Sequence, residues 1–214
     1  MAKRYLKKFY GLDCIIRHDY ETNGIKEKIN SYRARSVREL TEFLTNIPNS
    51  DNFKSFLDVG CGDDVDIKLF KNLHTSYNYC VGIDNYLDEK DYNDSIIKGD
   101  WYEMSDKPFY NRAFDVIYIN HSLEHAANIY ALMQQVSIMQ KKGGVLFIAV
   151  PDGNSEFGYA ITSSTTHFSV LTKGFLSTTL QRFGYNVIVE EREFRPDAPE
   201  LWAFAQKQYD GFGD

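Results

Sequence analysis

The residues best suited to chemistry in this 214-residue chain sit where short apolar runs end. Phe56-Leu57-Asp58-Val59 leads into Gly60-Cys61-Gly62, and helix-like spacing begins at about Val65. A buried parallel strand reads as an apolar run and not as a clean alternation. Glycines serve where a backbone turns sharply and a ligand must approach with no Cβ in the way. A second apolar run, Cys80-Val81-Gly82-Ile83, ends on Asp84, with Asn85 next. Strand, glycine turn, helix, strand and terminal acid form the unit that holds an adenosine ribose. The third glycine of the dinucleotide version is absent, because Val65 stands there. An NAD(P)-dependent oxidoreductase is therefore the secondary reading.

A second polar group follows Phe114-Asp115-Val116-Ile117-Tyr118-Ile119, where Asn120-His121-Ser122-Leu123-Glu124-His125 closes an apolar run. His121-x-x-Glu124-His125 matches a metallopeptidase pattern, but that pattern needs a helix interior and a third ligand. Here it lies where a strand gives way to the next segment, so no metal is expected. A positioned base adds about 10²–10⁴-fold to a reaction that removes a proton. His121 and His167 are the candidates for that role, and His125 reads as a hydrogen-bonded structural histidine. Cys14, Cys61 and Cys80 are odd in number and lack metal-ligand spacing, which points to reduced thiols and a cytoplasmic setting.

The elements that must position these residues alternate. Residues 1–30 show no sustained period and read as an irregular or partly helical arm. Val37, Leu40, Phe43 and Leu44 recur at helical spacing within Ser31 to Asn46, and Pro48-Asn49-Ser50 ends that helix. Strands are expected at about 53–59, 79–84, 95–98, 114–119 and 145–150. Helices are expected over about 65–73 and 126–141, the second stopped by Gly143-Gly144. Residues 152–171 form a polar loop long enough to be functional. Thr172 is an N-cap candidate for a helix carrying Phe175, Leu176, Leu180 and Phe183, with Gly184 past its end. Strands at 186–190 and 201–205 have no helix between them and pair most simply as a hairpin. The sum is a doubly wound, mostly parallel seven-stranded α/β sheet, Rossmann-like, with a closing antiparallel hairpin.

Charge narrows the partners. The chain carries a formal net charge of −6, yet residues 1–40 hold ten Lys/Arg against five Asp/Glu. An acidic body disfavours nonspecific nucleic-acid binding, which needs clustered cations to displace counterions. No stretch approaches the roughly 18 apolar residues of a membrane span.

Over about residues 31–207 the chain resembles the class I S-adenosylmethionine-dependent methyltransferases of the small-molecule type. The resemblance rests on Leu57-Asp58-Val59-Gly60-Cys61-Gly62, Gly82-Ile83-Asp84, Gly99-Asp100-Trp101, Phe114-Asp115-Val116-Ile117, Leu123-Glu124-His125 and Lys142-Gly143-Gly144-Val145-Leu146. It implies S-adenosyl-L-methionine held by Asp58, Gly60, Cys61, Gly62, Asp84, Asn85, Asp100, Trp101 and Asn120. Asp84 would take the ribose hydroxyls, Asp100 the adenine amino group, Trp101 backbone or ring contacts, and Asp58 would order the loop near the methionine end. S-adenosylmethionine has no phosphate, so the missing third glycine costs nothing. No Asn/Asp-Pro-Pro-aromatic stretch follows the fourth strand, which lowers nucleobase amino groups and glutamine as acceptors. A small polar acceptor is expected instead. Residues 1–50 would be an arm and lid helix and 51–214 the methyltransferase domain. The loop with Asp152, Asn154, Tyr159, Ser163, Thr165 and His167 would join that lid, and Arg33 or Arg35 would meet an acceptor carboxylate. A noncatalytic S-adenosylmethionine-binding module is the other alternative.

Overall fold

The structure is a computed structural model that describes residues 25–85, 87–104, 113–155, 167–195 and 198–209. Cys14, most of the basic arm and the loop residues Tyr159, Ser163 and Thr165 lie outside them. The described elements run α1 (Ile25–Thr45), β1 (Ser55–Val59), α2 (Val65–Leu73), β2 (Tyr79–Asp84), β3 (Ile96–Lys98), β4 (Phe114–Asn120), α3 (Ile129–Met139), β5 (Gln140–Pro151), α4 (Lys173–Arg182), β6 (Tyr185–Arg195) and β7 (Ala198–Lys207).

The seven strands form one sheet in the order β3-β2-β1-β4-β5-β7-β6. The first five pair in parallel, and β7 runs antiparallel between β5 and β6. The expected doubly wound sheet with its closing hairpin is what the chain builds. Both faces are covered, and strand side chains divide between them by alternation. Leu57, Val59, Ile117, Ile119, Leu146 and Ile148 face α3 and α4, whose Leu132, Met133, Val136, Leu176 and Leu180 are buried there. Phe56, Val116, Tyr118, Val145 and Phe147 face α1 and α2, against Val37, Leu40, Leu44, Ile67 and Phe70.

On that second face the aromatic rings form a file across the sheet. Phe70 stacks on Phe56 at 4.0 Å, and Tyr118 stacks on Phe147 at 5.1 Å. Phe204 and Phe43 continue the file at 5.2 and 5.0 Å. Helix α1 is thereby built into the core. It also begins earlier than Ser31, because Ile25–Asn30 continue the helical backbone without an apolar stripe to announce it.

Two expected boundaries move. The helix expected to reach 141 ends at Met139, and Gly143-Gly144 lies inside β5. Asn128 caps the start of α3 by accepting from the Ala131 N–H. At the other end the buried Lys207 ammonium donates to the carbonyls of Ser137 and Gln140, satisfying acceptors a helix end leaves open. Gly143, at φ 81°, serves instead where the register between β4 and β5 jumps. The final strands are longer than 186–190 and 201–205, because mutual pairing carries them through the polar residues Glu190 to Arg192. Thr172 caps α4 as expected, its hydroxyl accepting from the Phe175 N–H.

Candidate functional site

The sheet order reverses between β1 and β4, and open α/β sheets collect ligands at the carboxyl ends of the strands at such a point. The loops after those two strands touch, with the Ser122 hydroxyl donating to the Gly60 carbonyl at 3.2 Å. Gly60 has φ 74°, and a Cβ there would lie 2.4 Å from the Ser122 Oγ and 3.0 Å from the Trp101 ring. Conformation and space therefore both demand glycine. Gly62, at φ 63°, donates its N–H to Asp84 at 3.0 Å. Asp84 is thus the latch that holds the glycine turn of β1 against the end of β2. A carboxylate retains capacity for further hydrogen bonds after accepting one.

Asp58 is buried at 1% exposure, and its Oδ2 has no hydrogen-bond partner among the described residues. Burial pushes its carboxyl well above the usual range, with Asp66 adding to the rise and Arg33 opposing it. Asn120 Oδ1 is a second buried acceptor without a partner among the described residues. Arg33 of α1 bonds Asp66 and Asp63, each at 2.8 Å, and so fastens the first helix over the glycine turn. Its guanidinium would be pushed down by burial, but Asp66 and Asp63 hold it firmly charged. One arginine thus stands among Asp58, Asp63, Asp66 and Asp84, and this acid surplus suits a cationic ligand. Arg33, committed to Asp63 and Asp66, is not available to an acceptor carboxylate as expected. Arg35 pairs with Glu39 and lies over the Trp202 ring.

The other candidate residues divide. Cys61 packs its thiol against Gly82, and burial, with Asp58 adding to it, pushes that thiol far up, so it is inert. Asn85 and Asp100 are exposed at the ends of β2 and β3. Asp100 accepts from the Tyr102 N–H at 2.8 Å, a turn contact. Trp101 is buried, its ring supporting Gly60.

His121 departs most from expectation. It sits at φ 51°, a left-handed conformation uncommon outside glycine. Its Nε2 lies 2.9 Å from Glu200 and its Nδ1 3.3 Å from Glu124. Burial alone would lower its pKa, but Glu200 and Glu124 raise it well above the ordinary value. Both nitrogens are engaged by carboxylates that favour the protonated ring, so His121 is poorly placed to act as a base in this arrangement. Glu200 is held in turn by the Trp202 indole N–H at 2.8 Å.

His167 is gathered against the one-turn helix Leu123–His125, since the Glu124 carbonyl accepts from the Phe168 and Ser169 N–H groups. Its ring meets that of His125 edge-on at 4.6 Å. Burial lowers its pKa to about 4, with Glu124 opposing, so it is neutral at physiological pH and a weak base. Glu124 is fully buried; burial would raise its pKa, but the His121 hydrogen bond and the neighbouring histidines bring it below the usual value. Sequence reasoning missed Glu200 and Asp66 as members of the site, and it named Arg33 but with the wrong partner. Only the acid run Asp63-Asp64-x-Asp66 after the glycine turn carried any signal.

Residues 29–190 match the model of a family described as a methyltransferase domain. No curated protein sequence is similar enough to count as a relative. Among solved structures, a SAM-dependent methyltransferase from Archaeoglobus fulgidus is 18% identical, with TM-score 0.64, covering 82% of this chain and 94% of its own. An O-methyltransferase family protein from Burkholderia thailandensis is 13% identical, with TM-score 0.59, covering 92% of this chain and 62% of its own. The carbon methyltransferase CurJ is 14% identical, with TM-score 0.63, covering 92% and 58%. At these identities the likeness is one of fold.

Proposed function

This chain belongs to the methyltransferase-domain family, and on that premise we propose that it methylates a small polar acceptor from S-adenosylmethionine. The observation that carries the reading is the Gly60–Gly62 turn latched to Asp84 beside the unpartnered Asp58 oxygen. These residues fit the cofactor: Gly60 and Gly62 would leave room for it, Asp84 would accept from the ribose, and Asp58 would serve its cationic end. When bound, S-adenosylmethionine would supply a methyl group that passes to the acceptor nucleophile as the methyl–sulfur bond breaks, with S-adenosylhomocysteine as the leaving group. Alignment of the two reactants can supply about 7–11 kcal/mol of the barrier reduction. Asn120 and the partly exposed His121 at the end of β4, the latter braced by the buried Glu124 and Glu200, support a polar acceptor. The cofactor assignment and the inserted β7 set the nicotinamide reading aside.

The acceptor class is tested by incubating the protein with methyl-labelled donor and separate metabolite, protein and RNA fractions. Label is expected in the metabolite fraction. Label confined to protein or RNA would overturn the small-molecule reading, and donor binding without labelling of any fraction would favour the binding-module alternative.

Asp58→Asn should separate stability from binding. Asp58 has a raised folded-state pKa, so the native state keeps a proton that the unfolded chain releases. Its contribution therefore turns increasingly unfavourable as pH rises above the ordinary carboxylate value of about 4. At neutral pH the variant should be more stable in urea, because the amide has no proton to release, and the gain should vanish on acidification toward about pH 4. It should also bind cofactor more weakly. A variant that gains no stability yet binds normally would remove Asp58 from both roles.

A further inference from the structure

We propose that Glu124, His125 and His167 form a binding site for a divalent first-row transition cation, in the loops beyond β4. One ligand atom from each residue lies within 4.8 Å of those of the other two. Two imidazoles and one carboxylate form a mixed donor set that suits Zn²⁺ and its neighbours better than Mg²⁺ or Ca²⁺. The independent observation is Glu124 itself, at 2% exposure, whose Oε2 is buried with no hydrogen-bond partner among the described residues. A buried carboxylate oxygen left without a partner is costly, and a cation repays that cost.

The surrounding contacts hold the three residues together. His121 lies 3.3 Å from the Glu124 carboxylate, and Glu200 holds the other side of the His121 ring at 2.9 Å. An outer partner of this kind orients a ligating carboxylate. The Glu124 carbonyl accepts from the Phe168 and Ser169 N–H groups at 3.0 and 3.3 Å, which fixes the chain next to His167. The metallopeptidase arrangement of His121 with His125 is not made, because His121 turns to Glu200. Glu124 and His125 are instead joined by a histidine from the far end of the long loop. Three protein ligands leave positions for water or for an oxygen of another ligand. The site does not depend on the identity of the acceptor.

The test uses the full chain stripped by chelator and titrated with Co²⁺ and, separately, Zn²⁺. One ion per chain is expected at micromolar concentrations, with a visible Co²⁺ absorption band from imidazole ligation and a rise in melting temperature. His125→Ala and His167→Ala should each weaken binding by about 100-fold or more, and His121→Asn by about 10–100-fold, as outer partners do. His74→Gln, at the opposite end of the sheet beside Phe70, should bind as the wild type does. Near-ultraviolet dichroism distinguishes an unfolded variant from a folded one that has lost a ligand, and Glu124→Gln supplies a folded alternative. Absence of stoichiometric binding in the wild type would overturn the site. So would Co²⁺ spectra and affinities unchanged in both His125→Ala and His167→Ala.

Discussion

Asp84→Ala is expected to weaken S-adenosylhomocysteine binding by about 10- to 150-fold in titration calorimetry, the loss of one charged hydrogen bond worth about 1.5–3 kcal/mol. Two losses coincide at this position. At the proposed cofactor site the ribose would lose its acceptor, and the Gly62 N–H loses the carboxylate that holds the glycine turn at 3.0 Å. Asp84→Asn retains an acceptor for Gly62 without the charge, so its defect should be smaller and confined to the ribose. If Asp84→Ala bound with wild-type affinity, Asp84 would be a loop latch without a part in cofactor binding.

Arg33→Met is expected to destabilise the fold by about 3–5 kcal/mol, the cost of removing one partner from a buried ion pair. Arg33 is 13% exposed and Asp66 3%, so solvent screens the pair little. The loss should depend on pH with a definite sign. Asp58 and Asp66 have folded-state pKa values raised by burial, and Arg33 opposes that rise at both. Without Arg33 both rise further, so the native state retains protons that the unfolded chain gives up above about pH 4. Stability of the variant should therefore fall as pH rises from about 4 toward neutrality, and the deficit should shrink on acidification. Urea denaturation of both proteins across that range measures it. A neutral-pH deficit under about 1 kcal/mol, the scale of exposed pairs, would show that α1 is not fastened to the turn through this arginine.

How much was legible in the chain follows from the range of each interaction. The central strands announced themselves because burial on both faces leaves only apolar residues there, as in Phe56-Leu57 and Val116 to Ile119. The edge strand β6 announced only its apolar beginning, because backbone pairing holds Glu190 to Arg192 in place at no demand on side-chain type. The end of α3 was misplaced for a related reason. Its terminal carbonyls are satisfied by Lys207, at the other end of the chain, and not by the glycines that follow.

The sequence by itself determined the glycine turn and its latch, where the cofactor is proposed to bind. Gly60 and Gly62 need positive φ and open space, and Asp84 must end the neighbouring strand, and these are demands that local residue types express. Tertiary structure alone decided the polar cluster beyond β4. Nothing near His121 in sequence reveals that Glu200 from β7 takes its Nε2 and occupies a nitrogen the candidate base would need. Nothing near Glu124 reveals that His167 closes on it beside His125. Protonation and ligand capacity depend on charges within a few ångströms, and only the folded chain brings those charges together from opposite ends of the sequence.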